Sequence, residues 1–481
     1  MGRKRRNGGV DRLSDLPDDI LGHILSYLPT TEEAGRAAVL SRRWRYIFAH
    51  VHTLSFNDDF PGDRYEDNIT FELESEERRS PNGDFLDRVN AALLCRLRCA
   101  GLSHNTLLRA FRVAIDQYEG WDEEMVYSWV SYALEQSRQE LHLDLRLHTH
   151  QLCQRGDGQT KDRFYYAYSR HEEDWWDGWA FSFPRSLYSS AALRSLRLSH
   201  CRLAPPETIL LPSLETLHLT AVKNSFKTIS RLVSSCPRLA DLTLESCRKM
   251  KRISVPEKRL RRLALRCCHR LLSVSLDVSE LRFLDYRGAV PTQSLFTFHG
   301  SHRIIPSCTI DFCGPNRLTV DELAGFRILL QNFVEAPAPQ LLPAWLQHRE
   351  RVLQLFPALS CLHKLELTGC LDNQSISRVL QQTPNLEVLS LFLWHDPKHN
   401  PVAIPDASAV LCLQQRLRQI NLVYYQGTDA QRMVVQLLLG NAMVLQDLSV
   451  AFHESLGMQT TLMDEIKQWV VSNKSPKITF L

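Results

Sequence analysis

LRSLRLSHCRLAPPETILLPSLETLHLTAVKNSFKTISRLVSSCPRLADLTLESC, residues 193–247, carries one short figure three times: LRSLRLSHC from Leu193, LETLHLTAV from Leu214 and LADLTLESC from Leu239. Each copy obeys L-x-x-L-x-L, in which the alternating leucines fall on one face of a strand and the first leucine seals the turn before it. A single strand of this kind cannot bury its apolar face, so neighbouring copies must stack beside it. Further copies run to the end of the chain: LRRLALRCC from Leu260, LRFLDYRGA from Leu281, LHKLELTGC from Leu362, LEVLSLFLW from Leu386, LRQINLVYY from Leu417 and LQDLSVAFH from Leu445. The pattern predicts a solenoid built on a parallel sheet.

Working outward, Cys201, Cys247, Cys268 and Cys370 each stand three residues after the last leucine of their copy, where a small buried side chain fits under the turn. Stacked equivalent positions form a ladder without histidine partners at ligand spacing, which favours a packing role over metal binding. Two stretches lack the figure. Gln151–Arg185 holds Gly156-Asp157-Gly158 and the acidic aromatic run Glu172–Asp177 with Trp175 and Trp176, and Ser301–Phe356 holds Pro337, Pro339 and Pro343. Both are expected to be insertions. Upstream, Phe85–Leu97 has helical spacing, Leu107–Ile115 alternates like a strand, Asp122–Ser137 reads as a helix and Glu140–Leu145 as a strand, together an early unit of the same kind. Asn57–Asp84 is acidic, contains Pro61-Gly62 and Pro81-Asn82-Gly83, and reads as a linker.

The first part of the chain has a different grammar. DRLSDLPDDILGHILSYLPTTEEAGRAAVLSRRWRYIF, residues 11–48, predicts three short helices. Ser14 or Asp15 is expected to cap the first, with Pro17 in its first turn. Ile20, Ile24 and Leu28 recur at helical spacing with Leu21 and Leu25 one position round. Pro29 stops this helix, Thr30 and Glu33 fit a capping box for the second, and Ser41 can restart the chain as a third carrying Trp44, Ile47 and Phe48. A bundle of this size has more apolar residues than its own core needs, so it requires a partner or a fused domain.

Leu16-Pro17, the Ile20/Leu21/Ile24/Leu25 block and Val39-Leu40-Ser41-Arg42-Arg43-Trp44-Arg45 resemble the F-box in the form common in plant F-box proteins. With the repeats behind it, the chain resembles plant F-box proteins with leucine-rich repeats, and LRQINLVYYQGTDAQRMVVQLLLGNAMVLQDLSVAF is similar to the FBD region at the end of many of them. That region is expected as a strand, a turn at Gly427, a helix with Met433, Leu437 and Leu438 and a final strand, followed by a terminal helix over Asp464–Lys474 with Ile466 and Trp469 toward the core. The implied fold is α/β: a three-helix F-box and then a leucine-rich-repeat solenoid, a curved parallel sheet with helices or loops on its convex side. The expected boundaries are a basic tail at 1–11, the F-box at 12–52, an acidic linker at 53–84, the solenoid at 85–400 with insertions at 151–185 and 301–356, and the FBD-like cap at 401–481.

The resemblance implies that the F-box docks a Skp-type adaptor and through it a cullin, while the repeats choose a protein substrate for ubiquitination. Leu16, Pro17, Ile20, Leu21, Ile24, Leu25, Val39, Leu40 and Trp44 are then the candidate adaptor-binding residues, with Arg42, Arg43 and Arg45 as a polar rim. Some of these must instead hold the bundle together, and the sequence does not divide the two sets. An interaction protein that binds the adaptor without promoting ubiquitination is the alternative. The substrate-binding residues are not assigned by the sequence: the positions between the inward leucines, His218, Thr243, Ala264, Glu366 and Ser390, are mixed in type and read equally well as a solvated sheet face, and the Trp175-Trp176 pair, a sharper candidate, reads more readily as buried packing of an insertion on the solenoid.

Composition sets the remaining limits. The 481 residues are 44% hydrophobic with a formal net charge of +3, too near neutrality to make nucleic acid or membrane the main partner. Arg3-Lys4-Arg5-Arg6 is a concentrated basic run near the N-terminus, readable as a nuclear import signal, a phosphate-contacting arm or a solvated tail. No apolar run is long enough to span a bilayer, no signal-peptide core is present, and the 13 scattered cysteines show no CxxC pair. The expectation is a protein of the nucleus or cytoplasm with reduced thiols, monomeric outside its complex. Phosphate-loop, dinucleotide, zinc-protease and nucleophile-elbow motifs are missing, so no catalytic residue and no cofactor is expected. His142, His148, His150 and Cys153 are near one another in sequence, but alternation there places them along a strand end and loop, against a metal site.

Overall fold

A computed structural model of the chain describes residues 13, 15–57, 83–100, 107–115, 123–147, 181, 183–289, 291, 294–300, 305, 307–312, 328–329, 339–342, 362–369, 373–393, 410–453, 460–471 and 475–481. It divides into two compact units, Met1–Gln151 with Phe164–Leu239, and Leu152–Arg163 with Ala240–Leu481. The basic tail, the Trp175-Trp176 pair, His148, His150, Cys153 and Cys370 lie outside the described residues.

The first unit opens with α1 (Asp18–Leu25), α2 (Thr31–Ala38) and α3 (Arg42–Ile47), followed by one tight turn of helix, Phe48–His50. The expected caps of the second and third helices form: Thr30 Oγ1 accepts from Glu33 N–H at 3.4 Å and Ser41 Oγ from Trp44 N–H at 3.3 Å. At α1 the expectation fails. Pro17 itself occupies the N-cap position and no side chain caps the helix. Proline suits that place because its fixed φ is compatible with chain entry and it has no N–H to leave orphaned.

Strands β1 (Thr53–Asn57), β2 (Ala110–Ala114), β3 (Leu141–Arg146), β4 (Leu193–Ser199) and β5 (Thr216–Thr220) pair in parallel in that order. Helices α4 (Gly83–Ala100) and α5 (Glu123–Glu135) cross between the first three strands, the right length for parallel connections. The expected linker therefore begins later than position 53, because Leu54 and Phe56 alternate inward and make β1 the first strand of the array. Helix α6 (Phe226–Ser234) follows β5.

In the second unit, β6 (Asp241–Glu245), β8 (Arg262–Arg266), β10 (Phe283–Gly288), β12 (Ser307–Phe312) and β13 (Pro339–Leu342) form successive parallel pairs, and β7 (Arg252–Arg259), β9 (Ser273–Asp277) and β11 (Phe296–His299) form a second parallel sheet. Spacings of about 21 residues between copies leave too little chain for a helix and two turns, so a second short strand takes the place of the helix. β12 and β13 lie inside 301–356, so that stretch is not wholly an insertion. A five-stranded parallel sheet ends the chain: β14 (Lys364–Gly369), β15 (Val388–Leu393), β16 (Gln419–Tyr425), β17 (Asp447–Phe452) and β18 (Lys477–Phe480). Helices α7 (Asn373–Gln381), α8 (Leu411–Gln415), α9 (Asp429–Asn441) and α10 (Thr460–Trp469) alternate with them. Gly427 makes its turn at φ +69°, as the FBD-like pattern predicts. The terminal helix starts and stops earlier than expected. Leu462 and Ile466 carry its burial while Trp469 is only partly covered, and β18 adds an unforeseen last rung.

The repeat turns share one device. His200, Ala221, Ser246 and Cys267 all adopt the left-handed region at φ 49–55°, each directly before a buried residue: Cys201, Val222, Cys247 and Cys268. Three of these strained residues are held by the next rung, His200 N–H donating to Thr220 O at 2.9 Å, Ser246 N–H to Arg266 O at 2.8 Å and Cys267 N–H to Arg287 O at 2.5 Å. A bond of this kind offsets the cost of a non-glycine residue at positive φ. Asn224 closes another gap, its amide exchanging two bonds with the Leu203 backbone at 2.6 and 2.7 Å.

Candidate docking surface on the helical bundle

The bundle is latched to the first repeat by its connecting chain. Ser26 Oγ accepts from His52 N–H at 2.9 Å and donates to Gly22 O at 2.8 Å, and Thr31 Oγ1 accepts from Ser55 N–H at 2.7 Å. These bonds fasten α1 and α2 to the start of β1. Arg96, on α4, is buried and donates to the Val51 carbonyl. Burial pulls its pKa down, with Tyr132 opposing the shift through a hydrogen bond and its charge. Helix α1 also lies close on the 48–50 turn: a Cβ at Gly22 would collide with the Cβ and carbonyl of His50. His23 Nδ1 meets His52 Nε2 at 2.8 Å, a contact that needs one donor and one acceptor and so excludes two imidazolium ions. The His52 pKa is lowered by burial first, then by Arg109, His23 and Arg96.

This packing divides the candidate residues. Leu21 and Leu25 are 1% and 7% exposed and belong to the bundle core with Ala34, Ile47, Phe48 and Val51. The expectation that they share one docking surface with Ile20 and Ile24 is corrected for this pair: a helix offset of one residue turns them onto the latched face. Ile20 and Ile24 keep 43% and 42% exposure, and Val39 and Leu40, just past α2, keep 80% and 74%. Pro17 is exposed; Leu16 and Trp44 are partly covered. Arg43 is engaged inside the bundle rather than left as rim, donating through Nε to Asp18 Oδ1 at 2.9 Å and through Nη2 to the Leu16 carbonyl at 2.5 Å. Those bonds bring the start of α3 beside the first turn of α1. Tyr27, Leu28, Leu13 and Tyr46 are also exposed. Tyr27 and Leu28 continue the Ile20/Ile24 stripe at helical spacing, the signal by which the sequence marks them.

In the repeats, His218, Thr243 and Glu366 are partly exposed between the inward leucines, whereas Ala264 and Ser390 are buried. Among the described residues no group of three or more His, Cys, Asp or Glu is arranged to hold a metal ion, and no helix is long and apolar enough to cross a membrane. Cys201, Cys247 and Cys268 are buried. Desolvation drives the Cys201 thiol far above its ordinary pKa, which removes the thiolate needed for ligation or attack.

Residues 13–55 match the F-box domain, and residues 175–304 match the At1g61320/AtMIF1 LRR domain. The F-box/LRR-repeat protein At4g14103 of Arabidopsis thaliana is 28% identical over 80% of this chain and 92% of its own length. The putative F-box/FBD/LRR-repeat protein At3g59240 is 27% identical over 57% of this chain and 47% of its own. A third relative from the same plant, the putative F-box/LRR-repeat protein At3g58880, is 32% identical over 49% of this chain and 42% of its own. The chain thus carries an F-box domain followed by a leucine-rich-repeat domain and is a homologue of the plant F-box/LRR-repeat proteins.

Proposed function

We propose that this chain is the substrate-recognition subunit of a Skp–cullin–F-box ubiquitin ligase, without catalytic residues of its own. The observation that carries the reading is the exposure of Ile20, Ile24, Val39 and Leu40, together with Leu13, Tyr27, Leu28 and Tyr46, on a bundle that buries Leu21, Leu25, Ala34, Ile47 and Phe48 in its core. A group of large apolar side chains left in water next to a well-packed core marks a protein interaction site. Leu16, Pro17 and Trp44 complete this surface, and Arg42 and Arg45 edge it. Leu21 and Leu25 support it from beneath. The Skp-type adaptor would bring a cullin, and the repeats would hold a protein substrate. Catalysis is then by proximity: the scaffold raises the effective concentration of a substrate lysine near a ubiquitin thioester carried by other proteins. The reading places the protein, monomeric on its own, in the nucleus or cytoplasm.

Co-purification with a Skp-type adaptor tests it. The wild-type chain captures the adaptor, and the double variant Val39→Asp/Leu40→Asp loses capture while its far-ultraviolet spectrum and melting temperature stay at wild-type values. Capture by that variant equal to wild type rejects the docking surface. Ubiquitin transfer to a bound partner in the reconstituted complex separates a ligase subunit from a protein that binds the adaptor for another purpose.

A further inference from the structure

The open face of the first unit's sheet carries a concentrated positive charge. Register places Ser55, Arg112, Asp144, Arg197 and His218 in one line across β1 to β5, each between inward-facing apolar neighbours. Arg112 is exposed between the buried Ala110 and Ala114, and among the described residues it makes no ion pair. Asp144 is the single carboxylate in the line, and two guanidiniums share it: Arg146 Nε is 3.3 Å and Arg197 Nε 3.9 Å from its Oδ1. The aspartate side chain is 17% exposed, whereas those of Arg146 and Arg197 are 44% and 42% exposed. The carboxylate is therefore sunk between cations that reach past it toward solvent. Three guanidiniums against one covered carboxylate leave an excess of positive charge on this face. The same line on the chain's last sheet reads Glu366, Ser390, Asn421, Ser449 and Thr479, with no cation in it. The charge belongs to this face and not to the repeat as such.

We infer that this face binds an extended protein segment carrying two acidic side chains, through Arg112, Arg146 and Arg197. Charge complementarity selects the partner, because guanidinium forks pair with carboxylate or phosphate oxygens in strong, directional hydrogen bonds. Strands lie about 4.8 Å apart, so Arg112 and Arg197, two strands from each other, are separated by about 10 Å, close to the ~9 Å between residues i and i+3 of a segment in the extended polyproline-II conformation, whose three residues per turn bring both side chains to one side. A nucleic-acid backbone is a poor fit. It needs a long basic track, and here three cations surround a carboxylate that would oppose a continuous run of phosphates. This inference deepens the substrate-receptor reading by naming the chemistry of the substrate, and it rests on that reading for its biological sense. Binding itself requires no adaptor.

Fluorescence anisotropy with the full chain and no adaptor tests it. The probe is a short labelled peptide with Glu at positions i and i+3; the comparisons are its Gln counterpart, its phosphoserine counterpart and a single-stranded oligonucleotide of matched charge. The Glu peptide is expected to bind at least about tenfold more tightly than the Gln peptide, with affinity falling as salt rises. A tighter phosphoserine peptide would name phosphate as the preferred anion of the same site. Arg112→Glu/Arg197→Glu is expected to remove binding, and Arg112→Gln/Arg197→Gln to weaken it, both at wild-type melting temperature and with adaptor capture retained. Equal binding of Glu and Gln peptides, undiminished binding by the charge-reversed variant, or tighter binding of the oligonucleotide overturns the inference. Failure of wild-type adaptor capture with intact peptide discrimination would instead overturn only the ligase reading.

Discussion

Leu196, Leu198, Leu217 and Leu219 in the repeats are withdrawn from water, while Val39 and Leu40 in the bundle keep 80% and 74% of their exposure. Both sets are aliphatic residues in regular or near-regular structure, and their fates differ because of what stands next to them. An inner repeat strand such as β4 has a copy of itself on either side, β3 and β5, so its apolar face is completed by the chain's own sequence. Among the described residues the bundle is fastened to the first repeat, and Leu21, Leu25 and Ile47 are buried in its own core. Exposed apolar surface in the repeats would signal a missing copy; in the bundle it signals a missing partner.

The sharpest way to break this contrast is to mutate both kinds of aliphatic residue and compare stability with binding. Leu217→Ala, in the ladder, should cost about 2–5 kcal/mol in chemical denaturation, because the rigid neighbours cannot close the cavity. Val39→Asp/Leu40→Asp should leave the denaturation midpoint unmoved and abolish adaptor capture. If the leucine variant is neutral or the double variant unfolds, the two regions do not differ as described. A smaller effect is expected at the latch. Arg96→Met leaves the Val51 carbonyl without its donor and should destabilise the bundle by about 1–3 kcal/mol, read by hydrogen exchange in α1 and α2. Slower loss of the cap is smaller again: Thr30→Ala and Ser41→Ala should each cost about 1 kcal/mol.

The least effect is one of pH, confined to the junction. His52 has its pKa held below the ordinary 6.5 by burial, and it faces His23 on α1, Arg109 before β2, Arg96 on α4 and Glu140 before β3. As pH falls the unfolded chain binds this proton first, so stability is level above about 6.5 and declines below it. Protection of the Ser26–His52 amide region should fall over that acid range and not in His52→Asn. An identical decline in the variant would assign the effect to another group.

Local signals made much of this legible from the chain alone. The ladder depends on alternation within nine residues, and the caps at Thr30 and Ser41 on a spacing of three, so neither requires knowledge of the rest of the fold. What escaped depended on distant contacts. The TLSFN run of β1 is too short to be told from the acidic stretch after it until β2 pairs with it. The division of Ile20 and Ile24 from Leu21 and Leu25 is set by which side of α1 meets the 48–50 turn, since both pairs repeat at the same interval. Arg96 offered no sign of burial, because arginine is rarely interior and its partner is a backbone carbonyl 45 positions earlier. The cationic line is spread over strands far apart in sequence and exists only once register is known.

The reach from Val51 to Arg96 also has a meaning in time. During synthesis the three helices leave the ribosome well before α4 does, and at about 5–20 residues per second the Val51 carbonyl waits several seconds for its guanidinium. Throughout that interval the Ser26–His52 and Thr31–Ser55 bonds are available to the bundle but the Arg96 bond is not. The emergence of α4 ends that interval, and from then on Ile20, Ile24, Val39 and Leu40 are among the aliphatic side chains of the bundle still facing water.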